Sequence, residues 1–198
     1  MAYSCALWTT ASVVTFLVIH VAEARYGGPE QWRRPAPAPV VPVAALVSEQ
    51  LYGSLFLHKD NDACPAKGFY TYASFIQAAR TFPMFAVTDF LAQISHETTC
   101  GWAMASDDQY AWGLCYKEEI RPASNYCDAT DEQWPCYPGK SYHGWGPIQL
   151  SWNFNYEPAG QALGFDGLRN PELVANCSQT AFRTALWFWI EDPWNLEE

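Results

Sequence analysis

The sequence predicts a mainly α-helical domain with long loops held by disulfides, and three observations carry that expectation. Apolar residues recur at helical spacing in several separated stretches. Asp107 to Tyr142, lying among them, is rich in turn residues and cysteine and poor in apolar periodicity. The N-terminus reads as a secretory leader, which places the cysteines in an oxidising compartment where they can act as staples.

Met1 to Ala24 forms that leader. Val13 to Val21 supply a short apolar stretch, and Ala22-Glu23-Ala24 supplies small residues where a signal peptidase inspects the chain. A transmembrane anchor is the alternative, but the stretch is too short to cross a bilayer comfortably. Residues 25–44 read as a linker, because Arg33-Arg34-Pro35-Ala36-Pro37-Ala38-Pro39 and Pro42 favour extended polyproline II. It contains no cysteine, so no small disulfide-knotted module is expected before the main domain, residues 45–198.

Val47, Leu51 and Leu55, at i, i+4 and i+8, predict a helix over Val47 to Phe56 with that stripe as its buried face. Lys59-Asp60-Asn61-Asp62 makes a polar loop into Cys64. Tyr72 to Arg80 reads as a second helix, stopped by Phe82-Pro83. A third is expected from Thr88, as N-cap, to Gly101, with Phe90, Leu91 and Ile94 on one face and Glu97 near its C-terminal end. Asn170-Pro171-Glu172 has the form of a helix start. Ser178 is placed as the cap of a last helix through Phe182, Ala185, Leu186 and Trp189, ending near Asp192-Pro193.

The formal net charge of −10 argues against nucleic acid and anionic membranes as partners. Loss of Cys5 with the leader leaves Cys64, Cys100, Cys115, Cys127, Cys136 and Cys177, an even set whose 15 connectivities composition alone does not separate. Zinc is the competing use of such residues. His96-Glu97-Thr98-Thr99-Cys100 has Cys where the H-E-x-x-H helix needs its second His, and no C-x-x-C pair occurs, so neither a metal site nor a cofactor is expected.

Cleaving a glycosidic bond needs one carboxyl group to protonate the leaving oxygen and a second to activate water or attack the sugar. Glu97 and Glu119 are candidates in a chain with 10 Trp, 11 Tyr and 11 Phe, residues whose faces stack on sugars although most fill cores. Among 21 acidic residues, a pair alone says little; the surrounding words carry the argument.

Those words are Asp62-Ala63-Cys64-Pro65-Ala66-Lys67-Gly68-Phe69-Tyr70-Thr71-Tyr72, Phe90-Leu91-Ala92-Gln93-Ile94-Ser95-His96-Glu97-Thr98-Thr99, Gln133-Trp134-Pro135-Cys136, Gly146-Pro147-Ile148-Gln149-Leu150-Ser151 and Ala185-Leu186-Trp187-Phe188-Trp189. From about Leu46 to Ile190 the chain closely resembles plant chitinases of glycoside hydrolase family 19, in a class II-like form without a chitin-binding module. The resemblance implies a two-lobed, lysozyme-like chitinase fold. It implies a secreted, monomeric endochitinase of the apoplast or cell wall, acting in defence or wall turnover on chitin or N-acetylglucosamine oligomers.

By matching positions, the resemblance makes Glu97 the general acid and Glu119, rather than its neighbour Glu118, the general base of an inverting hydrolysis. Ser151 matches the residue that helps Glu119 hold water. His96, Thr98, Gln149 and Asn155 match sugar-contacting or acid-supporting positions, and Trp134 a sugar-contacting one. The resemblance also pairs Cys64 with Cys115 and Cys127 with Cys136. It leaves Cys100, where relatives usually have Gly, and Cys177 without partners, as candidate free thiols. Asn176-Cys177-Ser178 is a formal glycosylation sequon of an uncommon kind.

Three departures from the family stand out. The stretch between Phe82-Pro83 and Phe90 is shorter than in typical relatives. Trp145 replaces an arginine and Phe154 a sugar-binding tyrosine. Relatives also continue beyond Trp194 to Glu198 with an Asn-rich cleft loop and an arginine that interacts with the catalytic carboxylates. The expectation is therefore a catalytic domain with its C-terminal third missing, an exposed aromatic patch around Trp187, Phe188 and Trp189, and little or no chitinase activity by this chain alone. A non-catalytic chitinase-like protein that binds chitin or wall glycans is the alternative, and a muramidase a weaker one.

Overall fold

The computed structural model describes residues 41–82, 85–99 and 107–191. The leader, the linker as far as Val40, Cys100 and the segment after Glu191 lie outside them. The chain divides into two units, Met1–Pro39 and Val40–Glu198, and every described residue belongs to the second.

Seven α-helices are described: α1 (Val43–Leu46), α2 (Glu49–Leu55), α3 (Tyr72–Ala79), α4 (Val87–Thr98), α5 (Asn153–Leu163), α6 (Leu173–Asn176) and α7 (Ser178–Glu191). A 3₁₀ turn spans Gln109–Trp112. Helix α1 takes in Val43 and Ala44, the last residues expected to be linker, and half-buried Val43 packs on the core.

Ser48 opens α2 by accepting a hydrogen bond from the Leu51 amide at 3.1 Å. The expected buried stripe is corrected here. Val47 is buried, but Leu51 and Leu55 are each 42% exposed, and the inward residues are Tyr52 and Phe56. Tyr52 turns inward because its hydroxyl reaches the Tyr70 carbonyl at 3.3 Å and its ring stacks on Phe75 at 5.5 Å. Thr71 caps α3 through the Ser74 amide. Thr88 lies inside α4 rather than capping it; Ala86 precedes the helix without a side-chain cap, while Asp89 complements the dipole in the first turn. Phe90, Leu91 and Ile94 are buried as the periodicity predicts.

Two apolar cores give the two lobes. The first joins Tyr52, Phe75, Phe90, Ile94 and Leu114 to Phe182 and Leu186 of α7. The second gathers Tyr142, Trp145, Leu150, Tyr156 and Val174. Helix α7 serves both, and Ile148 packs against each. The exposed patch expected around Trp187 to Trp189 is not found: all three are half-buried, Trp189 against Phe90 at 6.0 Å and Trp187 and Phe188 against the second core.

Helix α5 was not anticipated, since Pro158 interrupts its pattern. It ends at Gly164, whose φ of 84° is the left-handed conformation that glycine adopts without a Cβ penalty. Helix α6 opens at Leu173, just after the expected Asn170-Pro171-Glu172 start. Ser178 is the first residue of α7, not its cap. Cys177 precedes it, and hydrogen bonds from Thr180 hold its exposed thiol below the usual range.

Both disulfides form as the resemblance implies, Cys64 to Cys115 and Cys127 to Cys136. The first bond is buried; it ties the loop before α3 to the segment leading to Glu119.

Candidate active site

Glu97 sits in the last turn of α4, half-buried. Gln93, one turn earlier, donates its Nε2 to Glu97 Oε1 at 2.7 Å. Burial holds the Glu97 carboxyl above the usual glutamate range, outweighing His96 and the Gln93 bond, which act in the opposite direction. The helix end is stitched to the chain that leads to Glu119. Ser95 Oγ donates to the Tyr110 carbonyl at 2.8 Å, Leu114 donates its amide to Thr98 Oγ1 at 2.6 Å, and the Tyr116 amide reaches the Thr98 carbonyl at 3.1 Å. Gly113 allows this approach: a Cβ there would lie 2.3 Å from Ser95 Oγ.

Glu119 lies on a small antiparallel ladder in which Glu118 pairs with Trp145 and Trp145 with Leu150. Its amide donates to the Gly144 carbonyl at 2.8 Å, and Gly146 returns a bond to Lys117 at 2.9 Å. Its carboxylate accepts from two donors, the Tyr126 hydroxyl at 2.8 Å on Oε1 and the Gly144 amide at 3.2 Å on Oε2. The same bond to Glu119 raises the Tyr126 phenol. The two carboxyl groups thus stand on directly bonded segments in contrasting surroundings: Glu97 is desolvated, whereas Glu119 accepts a hydrogen bond on each of its oxygens.

Ser151 follows the ladder, and its hydroxyl donates to the Gln149 carbonyl at 3.0 Å, leaving its oxygen lone pairs as acceptors. Gln149, at φ 52°, donates Nε2 to the Gly146 carbonyl, and Asn155 donates Nδ2 to the Ser151 carbonyl. Gln149 and Ser151 thus lie on the turn into α5, and Asn155 in its first turn. Trp134 is half-buried in the loop closed by Cys127 and Cys136. Buried Asn153 fixes that loop by donating to the Trp134 carbonyl at 2.7 Å and accepting from the Asp128 amide at 2.7 Å.

His96 is exposed beside Glu97, its ring 6.1 Å from that of Tyr110. Thr98 requires a correction as a substrate-binding residue. It is fully buried, and its hydroxyl donates to the Ile94 carbonyl while accepting from the Leu114 amide, so it braces the end of the helix that carries Glu97 and does not face a ligand. Sequence reasoning missed Tyr126, Gly144 and Asn153. Only the nearness of Tyr126 to Cys127 hinted at any of them, because turns rather than periodicity bring them in.

A groove of about 1370 Å³ runs along a neighbouring face of α4, past Leu51, Leu55, Gln93, His96 and Tyr110; neither Glu97 nor Glu119 lines it. Among the described residues no group of three His, Cys, Asp or Glu side chains is gathered to hold a metal, and no helix is long and apolar enough to cross a membrane.

The two-lobed helical scaffold thus presents a desolvated carboxyl and a carboxylate held by two donors on adjoining segments. The family described as Chitinase class I matches residues 46–195, and the chain belongs to this glycoside hydrolase 19 family. Chitinase 10 of Oryza sativa subsp. japonica is 66% identical over 193 residues, covering 91% of this chain and 66% of that protein. Endochitinase CH25 of Brassica napus is 47% identical over 165 residues, covering 78% and 51%. Among solved structures, a class IV family GH19 chitinase from Zea mays superposes with a TM-score of 0.63 at 36% identity, covering 76% of this chain and 73% of that one. Chitinase C of Streptomyces griseus gives 0.59 at 37% identity, covering 73% and 66%. The chain spans about half to two thirds of the length of the curated relatives it matches.

Proposed function

We propose that this protein hydrolyses the β-1,4 links of chitin and its N-acetylglucosamine oligomers with inversion at the anomeric carbon. The observation that carries the reading is the contrast between the two carboxyl groups. Burial raises the Glu97 carboxyl, while Glu119 accepts from the Tyr126 hydroxyl on one oxygen and the Gly144 amide on the other. Relatives named chitinase and endochitinase supply the substrate class.

In this reaction Glu97 gives its proton to the glycosidic oxygen as the bond from that oxygen to C1 breaks, and positive charge spreads over C1 and the ring oxygen. Glu119 takes a proton from a water whose oxygen bonds to C1 from the opposite face. Such a water needs the carboxyl groups roughly 6.5–9.5 Å apart. A lone pair of Ser151 accepts a hydrogen bond from the water's other O–H, which stays on the new hydroxyl, and orients the attack. Exchange with solvent then returns the proton to Glu97 and removes it from Glu119. His96, Gln149, Asn155 and Trp134 contact the sugar, the first three by hydrogen bonds and the last by stacking. The leader at residues 1–24 directs the chain out of the cell, where it acts as a monomer on wall or invading chitin.

Chromatography of chitin hexamer digests tests the reading. Glu97→Gln and Glu119→Gln each lower turnover on the order of 10²-fold or more while the fold is retained. Full turnover by either variant removes that residue from its role. Binding of chitin without any turnover by the parent chain favours a glycan-binding protein instead.

A further inference from the structure

We propose that His143 is a positioning residue for Glu119, acting through the peptide unit it shares with Gly144; this deepens the reading of Glu119 as the base and rests on it. The carbonyl of His143 and the amide of Gly144 belong to one planar trans peptide, so they point in opposite directions. The carbonyl accepts from the Tyr156 hydroxyl at 2.9 Å, and the amide donates to Glu119 Oε2 at 3.2 Å. This single plate therefore spans from a fully buried tyrosine to the catalytic carboxylate.

The imidazole fixes the plate sideways. His143 is only 8% exposed, with Nε2 3.1 Å from Glu118 Oε1 and Nδ1 2.7 Å from Ser141 Oγ. Nε2 thus faces a carboxylate oxygen, and Nδ1 meets Ser141 Oγ, whose hydroxyl also reaches the Asn125 carbonyl at 3.3 Å. The ring also meets Trp145 edge-on at 4.5 Å. Glu118 and Glu119 alternate across the ladder, so the Glu118 contact clamps the same pairing that holds Glu119, through the neighbouring residue. Rotation of the 143–144 plate must break the Tyr156 bond and disturb both ring contacts. A histidine that merely filled space would need neither of those ring hydrogen bonds.

The test uses the whole chain and compares His143→Phe, Glu118→Ala and their combination. Glu118 is exposed, so its variant folds even where His143→Phe does not. Hydrogen exchange of the Gly144 amide is read by NMR without substrate, with the Leu114 amide, bonded to Thr98, as the internal reference. Each single variant is expected to speed Gly144 exchange about tenfold relative to Leu114, the scale of one lost hydrogen bond, and the combination to add nothing further. On chitin oligomers kcat falls about tenfold with KM within about twofold, and Glu118→Gln, which keeps an acceptor oxygen, restores most of it. Unchanged Gly144 exchange, or equal acceleration at Gly144 and Leu114, overturns the proposal. If the parent chain shows no turnover, the hydrolytic reading fails, and the amide result still decides whether His143 holds Glu119.

Discussion

Removing the Cys64–Cys115 disulfide should cost more stability than removing Cys127–Cys136, by a margin set by the loops they close. The first joins residues 51 apart and the second residues 9 apart. Loop-closure entropy then gives about 4 kcal/mol for the first and about 2.6 kcal/mol for the second at 25 °C, because the crosslink restricts the unfolded chain more when it spans more of it. Native packing widens the gap. Cys64 and Cys115 are buried, and alanine there leaves unfilled space, whereas Cys127 and Cys136 are only half-buried. The assay is urea unfolding of the two paired Cys→Ala variants, followed by tryptophan fluorescence. A smaller loss for the Cys64/Cys115 variant than for the Cys127/Cys136 variant refutes the reasoning. Its backbone contacts, Ala66 to Cys115 and Lys67 to Cys64, survive the substitution, so the measured difference reports mainly on the unfolded chain and the vacated volume.

Three further outcomes are expected. Burial raises the Glu97 carboxyl in the folded protein, so below the ordinary glutamate range both states are protonated and nothing is lost; as pH rises from that range through the raised folded value, the parent chain loses stability that Glu97→Gln keeps. Melting temperatures of the two proteins therefore diverge between acid and neutral pH, and parallel curves contradict this. Gly113→Ala places a methyl 2.3 Å from Ser95 Oγ and 2.9 Å from Ser95 Cα, at a φ of −55° that alanine tolerates, so steric overpacking alone should cost about 1–3 kcal/mol in urea unfolding. Tyr126→Phe removes one of the two donors on Glu119 and should lower kcat on the order of tenfold with the melting temperature nearly unchanged; an unaltered kcat shows that the bond is incidental.

Helices α3, α4 and α7 were legible because a 3.6-residue repeat of Phe75, Phe90, Ile94, Phe182 and their neighbours records a single buried face. Helix α2 shows how that signal misleads. Val47, Leu51 and Leu55 have the spacing, yet tertiary contacts to Tyr70 and Phe75 turn Tyr52 inward and leave two leucines at the surface. Helix α5 was hidden by Pro158 and by the positive φ of Trp152 before it, neither of which periodicity registers. The place of Glu97 near the end of α4 could be read from the periodic stretch before it, whereas its candidacy came only from the family words. The partners of Glu119 could not, since Tyr126, His143 and Gly144 converge through turns with left-handed residues such as Arg121, Tyr126 and Gln149. The disulfides were legible only through the family words, as composition leaves their pairing open.

The central claim is that Glu97 and Glu119 act as acid and base across a water, and product stereochemistry tests it most directly. Proton NMR during the first turnovers of chitin hexamer should show the newly formed reducing ends as the α-anomer before mutarotation, with Glu119→Gln abolishing the signal. New ends appearing as the β-anomer, or an α-anomer signal undiminished in Glu119→Gln, would contradict the account.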